Sequence, residues 1–241
     1  MNFTPPKASL GQLKGVPFND KNTVNTAPKA KSAFDAFDKL PKNTDRSNCK
    51  ALLQFGNGTV FWSSKMAIDA DGPAAGPGRR SGSELDPTPG DDGKPEGQDD
   101  TSFHFPNGGG LPSETVPYIV LPHLLGDNKK LFHPDLQIGD VAIVIFADKI
   151  TAAICGDIGP AKKIGEASIR VHEALHPPVP DPCKRRDQNN FCKIILNASI
   201  EQDVLFFVFP RSGIPDLTLQ NIETQVQEKA FSLYNALRGI S

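Results

Sequence analysis

From about residue 49 onward the chain is a series of short apolar runs broken by Gly, Pro and Asp, and that pattern predicts strands more often than helices. Ala51-Leu52-Leu53-Gln54-Phe55 and Val60-Phe61-Trp62 flank Gly56-Asn57-Gly58, a strong hairpin signal. Lys65-Met66-Ala67-Ile68-Asp69 predicts the next strand, ending at Asp71-Gly72. Residues 115–121 predict another, with Pro117 suggesting an edge position because proline cannot donate to a ladder. Residues 140–145 and 149–155 predict a hairpin split at Ala147-Asp148, and residues 193–200 and 203–209 two further strands. Helical spacing appears twice. Ala167, Val171, Ala174 and Leu175 predict a short helix over 165–175. Leu219, Ile222, Val226, Phe231, Leu233 and Leu237 predict an amphipathic helix over 217–237, with Thr218 as its cap.

Six to eight short strands with one crossing helix argue for a β-barrel-like domain. A strand that ends in Asp, a Gly-Pro turn and an acid at the start of a helix also resemble the core of double-psi β-barrels. The expected fold is therefore mostly β: a double-psi β-barrel-like domain with a short crossing helix and a C-terminal helix. Residues 1–46 are polar and Pro-dotted and read as a tail or arm, with one helical turn over 32–40, ahead of a domain spanning 47–241. Residues 72–100, rich in Gly, Pro, Ser and Asp, read as a long surface loop.

Composition narrows the function classes. No apolar run approaches the roughly 20 residues of a membrane span, and a formal net charge of −2 gives no reason to expect nucleic acid as partner. Residues 1–41 carry lysines but no continuous apolar segment of the kind that marks a secretory leader. The spacing of Cys49, Cys155, Cys183 and Cys192 fits no zinc pattern. Cys183 and Cys192 bracket a polar loop and are expected to form a local bridge, while Cys155 reads as a small buried apolar residue.

The chemistry concentrates in Gly156-Asp157-Ile158-Gly159-Pro160 and Lys163-Ile164-Gly165-Glu166-Ala167-Ser168. Asp157 closes a strand-like run and Glu166 opens the predicted helix, so both are expected on rigid elements with a tight turn between them. Two carboxyls facing a gap are the apparatus of glycoside hydrolysis: one protonates the leaving oxygen while the other activates water or attacks the sugar. Ile164, Ala167 and Ile169 give Glu166 apolar neighbours, which help a carboxyl keep its proton, although a helix start favours the anion. Lys162 and Lys163 stand close to Asp157 in sequence and would hold it ionised. Glu166 is therefore expected as proton donor and Asp157 as base, with the reverse left open. Both also have ordinary structural readings, Asp157 as a turn residue and Glu166 as a helix-start acid.

Ile68-Asp69-Ala70-Asp71-Gly72 adds two acids, read as a polar cluster at a strand end that contributes to a sugar subsite. Asp69 also rivals Asp157 as base, and Lys65 could tune these acids. The Asp-x-Asp-Gly run lacks the other ligands of a calcium loop, so no metal is assigned. His172-Glu173-Ala174-Leu175-His176 matches the helical zinc motif, yet Pro177-Pro178 follows at once and no third ligand is evident. No Gly-x-Ser-x-Gly elbow, phosphate loop or dinucleotide fingerprint is present. Aromatic platforms are few, which hints at recognition by charge: acids lining a cleft would hold a cationic glucosamine polymer.

Taken in order, Lys65-Met66-Ala67-Ile68-Asp69-Ala70-Asp71-Gly72, Asp86-Pro87, Thr101-Ser102-Phe103, Val116-Pro117-Tyr118-Ile119-Val120-Leu121-Pro122, Gly139-Asp140-Val141-Ala142, the two acid-bearing motifs and Val208-Phe209-Pro210-Arg211-Ser212-Gly213 resemble the fungal-type chitosanases of glycoside hydrolase family 75. The resemblance spans about residues 49–213. It implies an inverting endo-glycosidase that cuts β-1,4 links in chitosan or a related glucosamine polymer without a cofactor. It places the essential acids at Asp157 and Glu166 and implies secretion. Asp69, Asp71, Lys65, Ser168 and Tyr118, which lie in these motifs, are the expected substrate contacts. Residues 72–100, 176–190 and the C-terminal helix depart from the pattern. The alternatives are a peptidoglycan-cleaving effector and a non-catalytic double-psi barrel that binds cell-wall glycan or a partner protein.

Overall fold

The computed structural model describes residues 51–55, 57–73, 98, 100–124, 126–161, 163–176, 181–186, 188, 192–195 and 199–238. The expected arm over 1–46, most of the 72–100 loop, and Lys162 lie outside these residues.

The first hairpin forms where Gly56-Asn57-Gly58 predicts it: β1 (Ala51–Gln54) pairs antiparallel with β2 (Val60–Asp69), Gln54 opposite Val60. β2 is one ten-residue strand, not the two expected, because Ser63 and Ser64 are buried within it and continue the ladder. β3 (Tyr118–Leu124) and β4 (Asp127–Leu131) follow. The second predicted hairpin is β5 (Val141–Phe146) and β6 (Lys149–Gly159), with Phe146 opposite Lys149. Next come β7 (Glu166–Ser168), helix α1 (Ile169–Ala174), the strands β8 (Cys183–Arg186) and β9 (Cys192–Ile195), β10 (Ile200–Phe209), and helix α2 (Ile222–Leu237).

Six of these strands close into a ring. β2 pairs β10, β10 pairs β5 and β5 pairs β6, all antiparallel; β6 pairs β3 in parallel; β3 pairs β7 antiparallel; and β7 returns to β2 in parallel. The mostly β barrel is thus observed as a closed, mixed six-strand ring, which leaves no open edge between its members. Closure depends on β7, which is three residues long.

Alternation sorts the side chains into two cores. Trp62, Met66, Ile119, Leu121, Val144, Cys155 and Phe206 fill the interior. Phe61, Tyr118, Val120, Ile143, Ile154 and Phe207 line the outer face, together with Val226, Ala230 and Tyr234 of α2. Three expectations are corrected here. β3 is no edge strand, since β6 and β7 flank it; Pro117 precedes its first residue and contributes only a carbonyl, which accepts from the Ile154 amide. The long helix starts at Ile222, after a turn in which the Thr218 carbonyl accepts from the Ile222 amide, so Thr218 is not its side-chain cap. The segment opened by Glu166 is strand first and helix second: α1 begins at Ile169, capped by the Ser168 hydroxyl accepting from the Val171 amide.

Cys183 and Cys192 form the expected disulfide across β8 and β9, and Cys155 is a buried free thiol. The disulfide packs with Ile169 against Ile68 and Ala70, which flank Asp69. The end of β2 is thereby buttressed from behind.

Candidate active site

Val120 stands between the two acids singled out by the sequence. β6 sets Asp157 opposite Val120 from one side, and β7 sets Glu166 opposite Val120 from the other. β2 then sets Ala67 beyond Glu166. Directly opposed residues on neighbouring strands project to one face, so Asp157 and Glu166 share the outer face with a valine between them. Strands lie about 4.8 Å apart, which separates their Cα atoms by about 9–10 Å. Each acid is mostly covered yet keeps an opening, at 8% exposure for Asp157 and 9% for Glu166.

Asp157 reaches that face because of a bulge. Strict alternation from Ala153 and Cys155, both interior, would turn Asp157 inward. Instead the register steps from Ile119↔Cys155 to Val120↔Asp157, with Gly156 as the extra residue. A bulge re-aims the side chains after it. Gly156 is small by necessity: a Cβ there would stand 2.6 Å from Tyr118 Cβ and 2.7 Å from a Leu111 methyl. Glu166 depends on another glycine. Gly165 has φ +82°, and a Cβ on it would press against the Lys65 carbonyl; its own carbonyl accepts from the Ala67 amide.

The two carboxyls have different partners. Asp157 Oδ1 accepts three hydrogen bonds: from the Ser102 amide at 2.9 Å, the Ser102 hydroxyl at 2.6 Å and the Ile158 amide at 2.8 Å. Glu166 Oε1 accepts from Lys163 Nζ at 2.9 Å. This corrects the expectation that Lys163 holds Asp157 ionised. The Gly159-Pro160 turn, closed by the Lys163 amide on the Pro160 carbonyl, carries Lys163 to the neighbouring acid instead.

Asp69 joins from the end of β2 and Asp71 from just past it. One carboxylate oxygen from each of Asp69, Asp71 and Asp157 lies within 4.8 Å of the other two. Asp69 accepts from the Asp71 amide at 2.8 Å, and Asp71 accepts from the Gln98 amide at 2.6 Å. Desolvation, followed by the charges of Asp71, Glu166 and Asp157, pushes Asp69 well above the usual carboxylate range. Four acids crowded together cannot all ionise cheaply, and the upward shift of Asp69 weighs against it as the base. The spacing would also suit a cation, but nothing beyond the spacing points to one.

Lys65 lies on the acid-bearing side of β2, two and four residues before Ala67 and Asp69. Tyr118 and Ser168 are fully buried and face the scaffold. The Tyr118 hydroxyl donates to the Asp71 carbonyl at 2.9 Å. The Ser168 hydroxyl donates to the Val116 carbonyl at 2.9 Å and accepts from the Tyr118 amide at 3.1 Å. Both fix the strands that carry the acids and offer no accessible hydroxyl to a sugar. Their expected role as substrate contacts gives way to one in support.

The zinc-like motif is also taken apart. His172 is buried, its Nε2 on the Ala67 carbonyl at 3.2 Å, whereas His176 is exposed. Glu173 pairs with Arg186. Burial holds the His172 ring neutral, its pKa lowered to about 4. A cavity of about 400 Å³ lies elsewhere, lined in part by Leu124, Lys129, Lys130, His133 and Ile138. It touches this corner only through Ile158, and its two lysines carry the wrong charge for a polycation.

A β-barrel with paired acids on one strand row has the equipment of a glycoside hydrolase. The family model for the fungal chitosanase of glycosyl hydrolase group 75 matches residues 66–233, more than two-thirds of the chain. The chain belongs to that family, and it is a chitosanase-like glycoside hydrolase. No curated protein matches it. Among the described residues, no helix is long and apolar enough to cross a membrane.

Proposed function

We propose that this chain is an inverting endo-glycosidase cutting β-1,4 links in chitosan or a related glucosamine polymer. The observation that carries the reading is the row Asp157, Val120, Glu166. An inverting enzyme holds its carboxyls roughly 6.5–9.5 Å apart so that a water fits beside the sugar, whereas a retaining one brings them to roughly 5–5.5 Å. One intervening strand supports the wider gap.

Glu166 gives its proton to the glycosidic oxygen as the C1–O bond breaks. Asp157 takes a proton from the water that attacks C1 on the opposite face, and the new reducing end emerges with inverted configuration. Three donors hold Asp157 Oδ1 and fix the orientation of the base. Lys163, half exposed at 49%, moves aside when Glu166 carries its proton. Asp69, Asp71 and Lys65 border the cleft, and the acids there favour a cationic glucosamine unit. The Cys183–Cys192 disulfide supports an oxidising, extracellular setting.

Proton NMR of chitosan digestion tests the reading. The α-anomer of the new reducing end should appear first and then mutarotate. Initial β-anomer, or no cleavage, would overturn it.

A further inference from the structure

The acid pair accounts for the reaction but not for how Asp157 is aimed. A carboxylate on a strand row can rotate about its side-chain bonds, and a base must present one oxygen to a water. Oδ1 is saturated by three donors, which leaves Oδ2 for that water.

Two of those donors belong to Ser102, 55 positions earlier in the chain. Its hydroxyl also accepts from the Ile158 amide at 3.2 Å, so the contact closes on itself. Ser102 is held in turn. The Phe103 amide donates to the Gly156 carbonyl at 2.8 Å, which lays residues 102–103 along β6 at the bulge. The Thr101 hydroxyl donates to the Phe103 carbonyl at 3.1 Å and accepts from the Leu111 amide at 2.8 Å. Upstream, Gln98 pairs with Asp71 and Gly72.

We propose that Ser102 is a positioning residue: its hydroxyl clamps Asp157 Oδ1 so that Oδ2 faces the attacking water. In this role it acts only through Asp157. The inference rests on the hydrolytic reading for its kinetic consequence, though not for its geometry. Among the described residues, the charged groups around the clamp include Asp69 at the end of β2, Asp71 just past it, Glu166 on β7, Lys163 in the turn before it, and Asp100 with His104 in the segment carrying Ser102.

Ser102→Ala and Ser102→Thr test the clamp. Ser102 is exposed as a residue, so neither change empties the core. With chitosan as substrate, Ser102→Ala should lower kcat by about 10- to 100-fold, the scale of a misplaced catalytic group, with KM within about twofold. Ser102→Thr, which keeps the hydroxyl, should restore most of the rate. Crystal structures of the unmutated enzyme and Ser102→Ala provide a readout independent of activity: Asp157 should hold one rotamer in the first and more than one in the second. A kcat within twofold of the unmutated enzyme, a rise in KM alone, equal losses in both variants, or an unmoved Asp157 would each overturn the clamp. Inactivity of the unmutated enzyme on chitosan with Asp157 released in Ser102→Ala would instead sink the hydrolytic reading and leave the clamp standing.

Discussion

The two acids sit one strand apart, yet their surroundings are built on different principles. Asp157 is held by short, neutral donors, two of them backbone amides with nowhere to go. Glu166 is held by the end of a long, half-exposed lysine. A neutral amide fixes direction without adding a mobile charge; a lysine adds charge and can leave. The site separates a base that must keep one orientation from an acid whose charged neighbour can withdraw during turnover.

The sharpest break in that comparison is to remove each acid in turn. Asp157→Asn and Glu166→Gln keep the shape and should each lower kcat on chitosan by about 10³-fold, within the range for acid–base groups. A reducing-sugar assay reads both, and survival of either activity would remove that acid from the pair.

Acid should loosen the Glu166 side first. His172 holds the Ala67 carbonyl beside Glu166 and stays neutral, with a folded-state pKa of about 4 against the ordinary 6.5. Between those values the unfolded chain binds a proton that the folded chain refuses. Stability is therefore full above about pH 6.5 and falls as pH drops towards 4, by about 3 kcal/mol. Urea unfolding at pH 7, 5.5 and 4 should show the slope, and His172→Gln should flatten it.

Gly156→Ala attacks the Asp157 side through its bulge. The new Cβ meets Tyr118 and Leu111 at under 3 Å, which should cost about 2 kcal/mol of stability and nearly all activity. Thermal melting with a turnover assay checks both.

Asp69→Asn should sharpen the contrast by relieving the crowding while still accepting from the Asp71 amide. An acid whose folded pKa is raised loses stability as pH climbs from about 4 through the folded value. The asparagine variant should therefore be more stable at pH 7, by about 1 kcal/mol, and no gain there would contradict the crowding. The smallest effect belongs to Lys163→Met: an ion pair whose lysine is half exposed contributes about 1 kcal/mol or less, so activity should change less than about fivefold.

Much of this was legible in the residues. The hairpins over Gly56-Asn57-Gly58 and Ala147-Asp148 follow from turn chemistry and apolar runs of ordinary length, and the disulfide from a short polar loop between Cys183 and Cys192. The two acids announced themselves through Gly-Pro punctuation. What escaped was non-local or too short. Asp127–Leu131 is polar and mostly exposed, so no apolar pattern marks it. Glu166–Ser168 has too few residues to show a period and became strand through its partners on both sides. The bulge at Gly156 exists only relative to β3, so a regular reading of β6 would have aimed Asp157 inward. Ser102 lay within a recognised motif, but its partner is 55 positions away and no local spacing could have linked them.

One structural economy has a consequence for assembly. β7 both seals the barrel and delivers Glu166, and its pairing with β2 joins Ala67 to a residue 99 positions further on. Bringing ends so distant together costs roughly 4 kcal/mol of chain entropy, recovered only when the whole ring is complete. A partly folded molecule can hold its hairpins and still have no second carboxyl in place, so catalytic competence is a report on the finished architecture.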